Sequence, residues 1–165
     1  MDFSKFDSAI NKDDMEKQIK EAKENGAGES LETPAGQYVC SVEKMELAAT
    51  KDGRPMFKVQ LRVIEPGEEA KDDVREYLSH FKNKKPCLFM NRVIYGTKND
   101  ANMIASVIGW LEKLEPSVPV EFKNYSQFAD LVLDIYEEVA EAVELAVDYD
   151  PNAFNSISIS EVFDV

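Results

Sequence analysis

The fold is decided by residues 37–63, which read QYVCSVEKMELAATKDGRPMFKVQLRV. Apolar side chains occupy alternate positions in the first part of this stretch: Tyr38, Cys40 and Val42. This period of two is typical of a strand with one buried face. Met45 and Leu47 continue the apolar series one residue out of phase, which predicts a β-bulge near Glu43 and Lys44. Because bulges bend strands, we expect a strongly bent first strand.

The second part of the stretch predicts a hairpin. Asp52-Gly53 is a typical tight-turn pair. Alternating apolar positions follow it, namely Phe57, Val59, Leu61 and Val63, and polar side chains lie between them, namely Lys58, Gln60 and Arg62. The hairpin is therefore expected to have one apolar face and one cationic face.

The rest of the chain alternates between helical and extended patterns. Helical spacing occurs in residues 68–82, in residues 103–114 behind the candidate cap Asp100, and in residues 128–139 behind Asn124 or Ser126. Extended patterns occur at Cys87–Tyr95, at 143–147 and at 157–162. This order predicts an α+β protein, a β-barrel with added helices. It would be an OB-like (oligonucleotide/oligosaccharide-binding) five-stranded antiparallel barrel, with helices between strands 2 and 3 and between strands 3 and 4. The competing interpretation is an open antiparallel sheet with helices on one face.

Composition limits the class of protein. The chain has 165 residues, 44% of them hydrophobic, which suits a single core. Its 32 acidic and 19 basic residues give a net charge of −13, which excludes a uniformly basic nucleic-acid coat protein. No apolar stretch approaches the 18 or more residues of a membrane span, and Met1 to Phe6 carries two charges. Cys40 and Cys87 form no CxxC pair, so we expect reduced thiols in a soluble, unexported protein.

The charge is unevenly distributed. Residues 1–36 hold five bases and nine acids and are expected to form a polar N-terminal arm, partly helical or disordered, before a folded domain over 37–165. Residues 37–98 hold twelve bases and nine acids, and residues 99–165 hold two bases and fourteen acids. The stretch Tyr77 to Lys98 contains five cations and no acid, so it is where an anionic ligand is expected to bind.

Aromatic residues are interleaved with these cations. Lys82, Lys84 and Lys85 precede Phe89, Asn91, Arg92, Tyr95 and Lys98, and the second strand adds Lys58 and Arg62. Single-stranded nucleic acid is held by cations along its phosphates and by flat side chains under its bases. In an OB barrel the face of strands 2 and 3 is the usual platform. The alternative is that Phe89 and Tyr95 belong to the core and the lysines only solubilise the surface.

Catalytic and metal signatures are weak. His80 is the single histidine and lies on the polar flank of a predicted helix, so a solvated side chain is favoured over a base for Cys87. Asp148, Asp150 and Asn152 imitate the start of a calcium loop, but Ala153 stands where a glycine is needed and Ile159 where a glutamate is needed. We therefore expect no enzyme, no metal site and no cofactor.

Several segments resemble a family of small phage single-stranded DNA-binding proteins from replication and recombination modules, often described as phage proteins of unknown function. They are Met1–Phe6, Gly36–Tyr38, Val42–Leu47, Gly53–Phe57, Arg62–Ile64, Pro86–Gly96, Phe122–Leu131 and Ser158–Phe163. The resemblance implies an OB-like fold and binding of single-stranded DNA during phage replication or recombination. Residues 68–82 are longer than the usual family connection. The last segment resembles the family's closing strand, which would leave only Asp164 and Val165 free.

Together these observations predict a sequence-tolerant single-stranded DNA-binding protein of the bacterial host cytoplasm that protects single strands. The expected phosphate contacts are Lys58, Arg62, Lys82, Lys84, Lys85, Arg92 and Lys98; Phe89 and Tyr95 would stack on bases, and Asn91 would hydrogen-bond base or sugar. The acidic helices would face away from DNA and could dock phage or host replication or recombination proteins. The rival hypothesis is an acidic protein-binding module, a DNA mimic that inhibits a host nucleic-acid enzyme.

Overall fold

The structure, a computed structural model, describes residues 3–8, 11–24, 32–94 and 100–165. Its strands are β1 (Gly36–Ala49), β2 (Pro55–Pro66), β3 (Cys87–Val93), β4 (Val143–Asp150) and β5 (Ser156–Asp164). Its helices are α1 (Ser4–Asp7), α2 (Lys12–Glu24), α3 (Asp72–Ser79), α4 (Asp100–Glu112) and α5 (Tyr125–Val139). The predicted order of strands and helices from residue 37 onward is confirmed.

The strands form one antiparallel sheet in the order β3-β2-β1-β4-β5. β1 is central because its first half, Gly36 to Ser41, pairs with β4 while most of its length pairs with β2. In the part of the chain that the structure describes, β3 and β5 are the two edges of the sheet. The α+β class and the five-stranded antiparallel sheet are thus confirmed, whereas closure into a barrel is not.

The predicted bulge in β1 is present. The register with β2 shifts between Val42 and Lys44, so Glu43 has no partner in the ladder, and a second shift lies between Val39 and Cys40. The carbonyl oxygen of Glu43 instead accepts a hydrogen bond of 2.8 Å from the hydroxyl of Tyr136 on α5. The bulge therefore bends β1 and also fastens α5 to it.

The buried face of the sheet follows the sequence pattern, because the alternating apolar residues of every strand enter one core cluster. The strand residues in that cluster include Tyr38, Cys40, Val42, Met45, Phe57, Val59, Leu61, Val63, Leu88, Met90, Leu145, Val147, Ile157 and Ile159. α3, α4 and α5 add Val74, Leu111 and Phe128, among others, to the same cluster. Met45 is buried because the bulge restores its phase.

The ends of several elements differ in detail from their predicted positions. α3 covers Asp72–Ser79, not the whole of 68–82. Of the two candidate caps of α5, Asn124 is the one used, since its side-chain oxygen accepts a hydrogen bond of 2.8 Å from the Gln127 amide. The expectation that Asp164 and Val165 are free is wrong, because Asp164 pairs with Val143 and the Val165 amide donates to the Ala142 carbonyl at 3.0 Å.

The N-terminal region contains the predicted helix as α2, on which Ile19 is exposed. Gly26 and Gly28 predict a flexible joint at Asn25 to Glu29, which lies outside the described residues. The chain is then attached to the domain by two hydrogen bonds: Thr33 and Tyr77 share one of 2.9 Å between their hydroxyls, and the Tyr38 hydroxyl donates to the Pro34 carbonyl at 2.6 Å. Among the described helices, none combines the length and apolar character that crossing a membrane requires.

Candidate nucleic-acid interface

The solvent side of β1, β2 and β3 gathers polar side chains into two rows across the sheet. One row pairs Lys44 with Gln60 and Gln60 with Phe89; the next pairs Glu46 with Lys58 and Lys58 with Asn91. These positions alternate with the buried residues of the same strands, as the pleat requires. We call the six residues the outer face: Lys44, Glu46, Lys58, Gln60, Phe89 and Asn91.

Phe89 is the distinctive member of the outer face. Its side chain is 54% exposed, while Leu88 and Met90 on either side of it are buried. The hypothesis that Phe89 belongs to the core is therefore wrong. Lys44, Lys58, Gln60 and Asn91 surround the ring and form with it a shallow cavity of about 200 Å³. An exposed ring among cations and hydrogen-bonding side chains offers a surface on which a flat group such as a base can stack.

Arg62 lies on the same side of β2, beyond Gln60, but its guanidinium is already engaged. One nitrogen donates to the Lys85 carbonyl at 2.7 Å, and another lies 3.2 Å from the Glu43 carboxylate. The hydrogen bond from Arg62 lowers the pKa of the Glu43 carboxyl below its ordinary value, and the charge of Lys84 lowers it further. Arg62 is thus a fixed cation whose charge Glu43 partly neutralises.

The three lysines before β3 have different environments. Lys82 and Lys84 are exposed. The Lys85 ammonium instead donates to the Phe81 carbonyl at 3.1 Å and to the Leu78 carbonyl at 3.5 Å, at the end of α3. A cation at this position satisfies carbonyl groups that have no partner within the helix. Lys84 therefore extends the cationic border of the outer face, whereas Lys85 primarily caps α3.

Arg92 does not lie on the outer face. It is opposite Phe57, whose side chain is buried, so it projects from the other side of the sheet. One of its guanidinium nitrogens lies 3.5 Å from the Asn91 carbonyl and 3.3 Å from the Phe154 carbonyl. Arg92 thereby joins the end of β3 to the β4–β5 turn. Tyr95 and Lys98, the remaining predicted contacts, lie outside the described residues.

Sequence reasoning missed two residues near this surface. Lys44 reaches the outer face because of the bulge, and that phase change is readable in the sequence. Phe154 lies in the β4–β5 turn, is 89% exposed, and has a φ of 56°, which is unusual for an aromatic residue. Asn155 follows at φ 53° and accepts a hydrogen bond of 3.0 Å from the Tyr149 hydroxyl. Through Arg92, which projects from the other side of the sheet, the Phe154 carbonyl is joined to the end of β3.

The groups considered for catalysis have structural surroundings. His80 is exposed at the end of α3, and the Cys87 sulfur accepts a 3.3 Å hydrogen bond from Gln60. Burial raises the pKa of the Cys40 thiol, which disfavours its thiolate. Asp150 and Asn152 form a turn in which the Asn152 amide donates to the Asp150 carboxylate at 2.9 Å. Within the residues described, His, Cys, Asp and Glu form no group of three suited to a metal ion.

These features together describe a sheet face with one exposed ring, flanking cations and hydrogen-bonding side chains. Comparison of the chain with protein-family models and with curated proteins gives no match, so the resemblance to phage single-stranded DNA-binding proteins stays a prediction from the sequence.

Proposed function

We propose that this protein binds single-stranded DNA with little sequence preference, through the outer face. The observation that carries the proposal is the exposed ring of Phe89 on the edge strand β3, beside the cations of the outer face. A base can stack on such a ring whatever its identity, because every base has a π-face. Phage replication or recombination in a bacterial cytoplasm is the role that the sequence resemblance suggests for this activity.

The cations of the proposed surface lie on two sides of Phe89. Lys44 and Lys58 border it along β1 and β2, and Arg62 and Lys84 lie toward the start of β3. Lys58 and Arg62 are four positions apart on one strand, which places them roughly 13 Å apart along β2. Phosphates flanking a stacked base could therefore contact either group. Lys82 lies farther along the same border and adds positive potential.

The arrangement of strands supports an OB-like fold for the domain. OB-folds are partly open five-stranded barrels in which the face of strands 2 and 3 and the loops between strands 1 and 2 and between strands 4 and 5 bind oligonucleotides. Here β3 and β5 are the two edges that closure would bring together, and Arg92 already bridges β3 to the β4–β5 turn. Phe154 in that turn is exposed and would be a second stacking residue near the end of β3.

Phe89→Ala tests the proposal, with Phe163→Ala as the matched control. Both rings are exposed, but Phe163 lies on β5, away from the outer face. Loss of a stacked ring costs about 1–3 kcal/mol per base, so we expect Phe89→Ala to weaken binding of a labelled single-stranded oligonucleotide at least about fivefold. Phe163→Ala should bind like the parent in the same fluorescence anisotropy titration. Equal affinities for the two variants would contradict the proposal.

A second candidate, the acidic protein-binding module or DNA mimic, is supported by one concavity. It has a volume of about 770 Å³ and is lined by five glutamates: Glu65, Glu68, Glu69, Glu144 and Glu161. A mimic would compete with DNA for a host enzyme and would not bind DNA itself. The titration above therefore separates the two functions, since absence of single-strand binding at low salt supports the mimic. Docking of replication partners on the acidic helices is compatible with the DNA-binding function and is part of our proposal.

A further inference from the structure

A cleft lies between α4 and the two edge strands, on the side of the sheet opposite Phe89. It has a volume of about 310 Å³, at the lower end of the range for small-molecule sites. Its lining includes the apolar residues Phe57, Met90 and Trp110. Phe57 and Met90 are buried beneath the surface, and Trp110 keeps 9% of its surface exposed. The Trp110 ring meets the Phe57 ring edge-on, with centroids 5.7 Å apart. The cleft therefore offers a slot between a helix and a sheet edge with an aromatic residue at its base.

The wall of the cleft is cationic, in a protein with a net charge of −13. Arg92 and Lys113 line it, together with the hydroxyls of Ser106, Ser156 and Ser158, and none of the lining residues that the structure describes is an aspartate or a glutamate. Within the described residues no ion pair joins either cation to a carboxylate. Lys113 is, moreover, one of only two bases after residue 98. An anionic group would thus find charge and hydrogen-bond donors on the same wall.

Gly109 gives an independent indication that the cleft is kept open. It lies in the middle of α4 and lines the cleft, and a Cβ added to it would meet no atom within 4 Å. Packing therefore does not require glycine at this position. Glycine in a helix nevertheless costs roughly 0.5–1 kcal/mol relative to alanine. A residue that lowers helix stability without a packing reason is explained if a side chain there would occupy space that a ligand needs.

The edge strands suggest a second occupant, an extended peptide, but Trp110 disfavours it. The indole N–H of Trp110 donates to the Ile157 carbonyl of β5 at 2.9 Å. An added strand needs such edge carbonyls for its own ladder. Because the Ile157 carbonyl already accepts this bond from Trp110, it is not available to an added strand. A small molecule therefore fits the cleft better than a strand.

We propose that the cleft between α4, β3 and β5 binds a small organic anion that carries a planar ring, with the ring against Trp110 and the anionic group at Arg92 and Lys113. Nucleoside monophosphates belong to this chemical class and have a matching size. The site is separate from the outer face, so it does not depend on the DNA-binding function.

The single tryptophan of the chain, Trp110, makes the test direct. The protein is titrated with thymidine monophosphate, with thymidine and with inorganic phosphate, while Trp110 fluorescence is excited at the red edge of its band. We expect a saturable response to the monophosphate at least about fivefold tighter than to either part, because ring and anion bind together. No saturable response up to roughly 10 mM, or equal responses to all three probes, would overturn the proposal.

Variants locate the site. Lys113→Gln should weaken monophosphate binding about fivefold to tenfold by removing a charged donor, whereas Lys123→Gln, the same change at the other late base, should not alter it. Gly109→Leu should fill the cleft and abolish binding. If the leucine variant does not fold, Gly109→Ala serves in its place, because the helix accommodates this smaller change. Phe89→Ala should leave the response intact. Unchanged binding in Lys113→Gln and in the Gly109 variants, shown also by backbone NMR shifts, would overturn the proposal.

Discussion

Arg62 has a structural role as well as its proposed role in DNA binding. The guanidinium holds the Lys85 carbonyl and the Glu43 carboxylate at the border of the outer face. Arg62 therefore keeps a fixed orientation before any ligand arrives. Its charge is reduced by a carboxylate that competes with a phosphate for the same group.

Glu43→Gln is expected to separate these effects. The variant should bind single-stranded DNA more tightly at low salt, because Arg62 loses its competing carboxylate. It should also be less stable by no more than about 1 kcal/mol at neutral pH, since both partners are partly exposed. Anisotropy titration measures the first effect and urea denaturation the second. Glu141→Gln, an exposed change of equal charge, should do neither.

The stability effect has a definite pH dependence. Arg62 lowers the pKa of the folded-state Glu43 carboxyl, so its stabilisation is present above the unfolded-state pKa and disappears as the pH falls through the lowered folded-state value. The parent and Glu43→Gln should therefore converge in unfolding free energy in acid. A difference that persists at about pH 2 would show that the ion pair is not its cause.

Residue parity explains which of the predicted contact residues share one face of the sheet. Phe89 and Asn91 differ by two positions and share the outer face, whereas Arg92 is three positions from Phe89 and lies on the other side of the sheet. The alternation of buried and exposed positions in the sequence already predicts that Phe89 and Arg92 lie on opposite sides of the sheet. The clustering of charges, considered alone, does not show this difference. The Lys85 ammonium bonds carbonyls four and seven residues earlier in the chain, and Phe154 lies in the turn between β4 and β5. Charge and aromatic clustering alone did not distinguish these local roles.

At the scale of elements, two neighbouring lysines differ in their relation to the end of α3. Lys84 is exposed, whereas Lys85 donates hydrogen bonds to carbonyls at the end of the helix. Lys84→Glu should hardly change thermal stability, because the side chain is exposed. It should weaken single-strand binding and reduce the salt slope by roughly 0.7 for the lost contact. Lys85→Glu should lower stability by about 1 kcal/mol, since it places a carboxylate at helix carbonyls. Thermal unfolding beside anisotropy at several salt concentrations tests both, and equal stability of the two variants would contradict the capping role.

Replacement by alanine should have opposite effects on stability at Gly36, at the start of β1, and at Gly109, in the interior of α4. A Cβ at Gly36, where φ is 154°, would lie 2.5 Å from the Val74 Cγ2 of α3. Gly36→Ala should therefore destabilise the fold by roughly 1–3 kcal/mol through overpacking. Gly109→Ala should stabilise α4 by about 0.5–1 kcal/mol. Urea unfolding of the two variants measures both values, and a destabilised Gly109→Ala would show that the cleft cannot accept a methyl group.

For the whole molecule, the number of available cations limits the electrostatic part of DNA binding. Lys44 and Lys58 lie on the outer face and Arg62 and Lys84 lie beside it, although Lys44 is 3.4 Å from the Glu46 carboxylate and Arg62 is 3.2 Å from that of Glu43. With these four cations, log K against log salt should slope no more steeply than roughly −2 to −3 for single strands. Single-stranded DNA should be preferred over duplex, because only unpaired bases can stack on Phe89. A flat salt response, or equal affinity for duplex, would contradict the proposed interface.

The fold was more predictable than the site. Periodicity located all five strands, the bulge at Glu43 and the helices α4 and α5, because each buries a regular stripe. Whether β3 and β5 approach each other is not encoded in either strand, since it depends on how far the bent β1 turns the sheet. The cleft under α4 likewise arises from packing between elements far apart in sequence.

The central position of β1 also has a consequence for folding kinetics. Gly36 pairs with Tyr149, about 110 residues later in the chain. The β1–β2 hairpin can form early from local contacts, but the first half of β1 lacks its partner until α4, α5 and β4 have been synthesised. A nascent chain stalled before β4 should thus expose an unpaired strand and be cleaved readily by protease, whereas one extended past β5 should be protected. The long-range pairing of β1 with β4 therefore predicts slow folding that is completed late in synthesis.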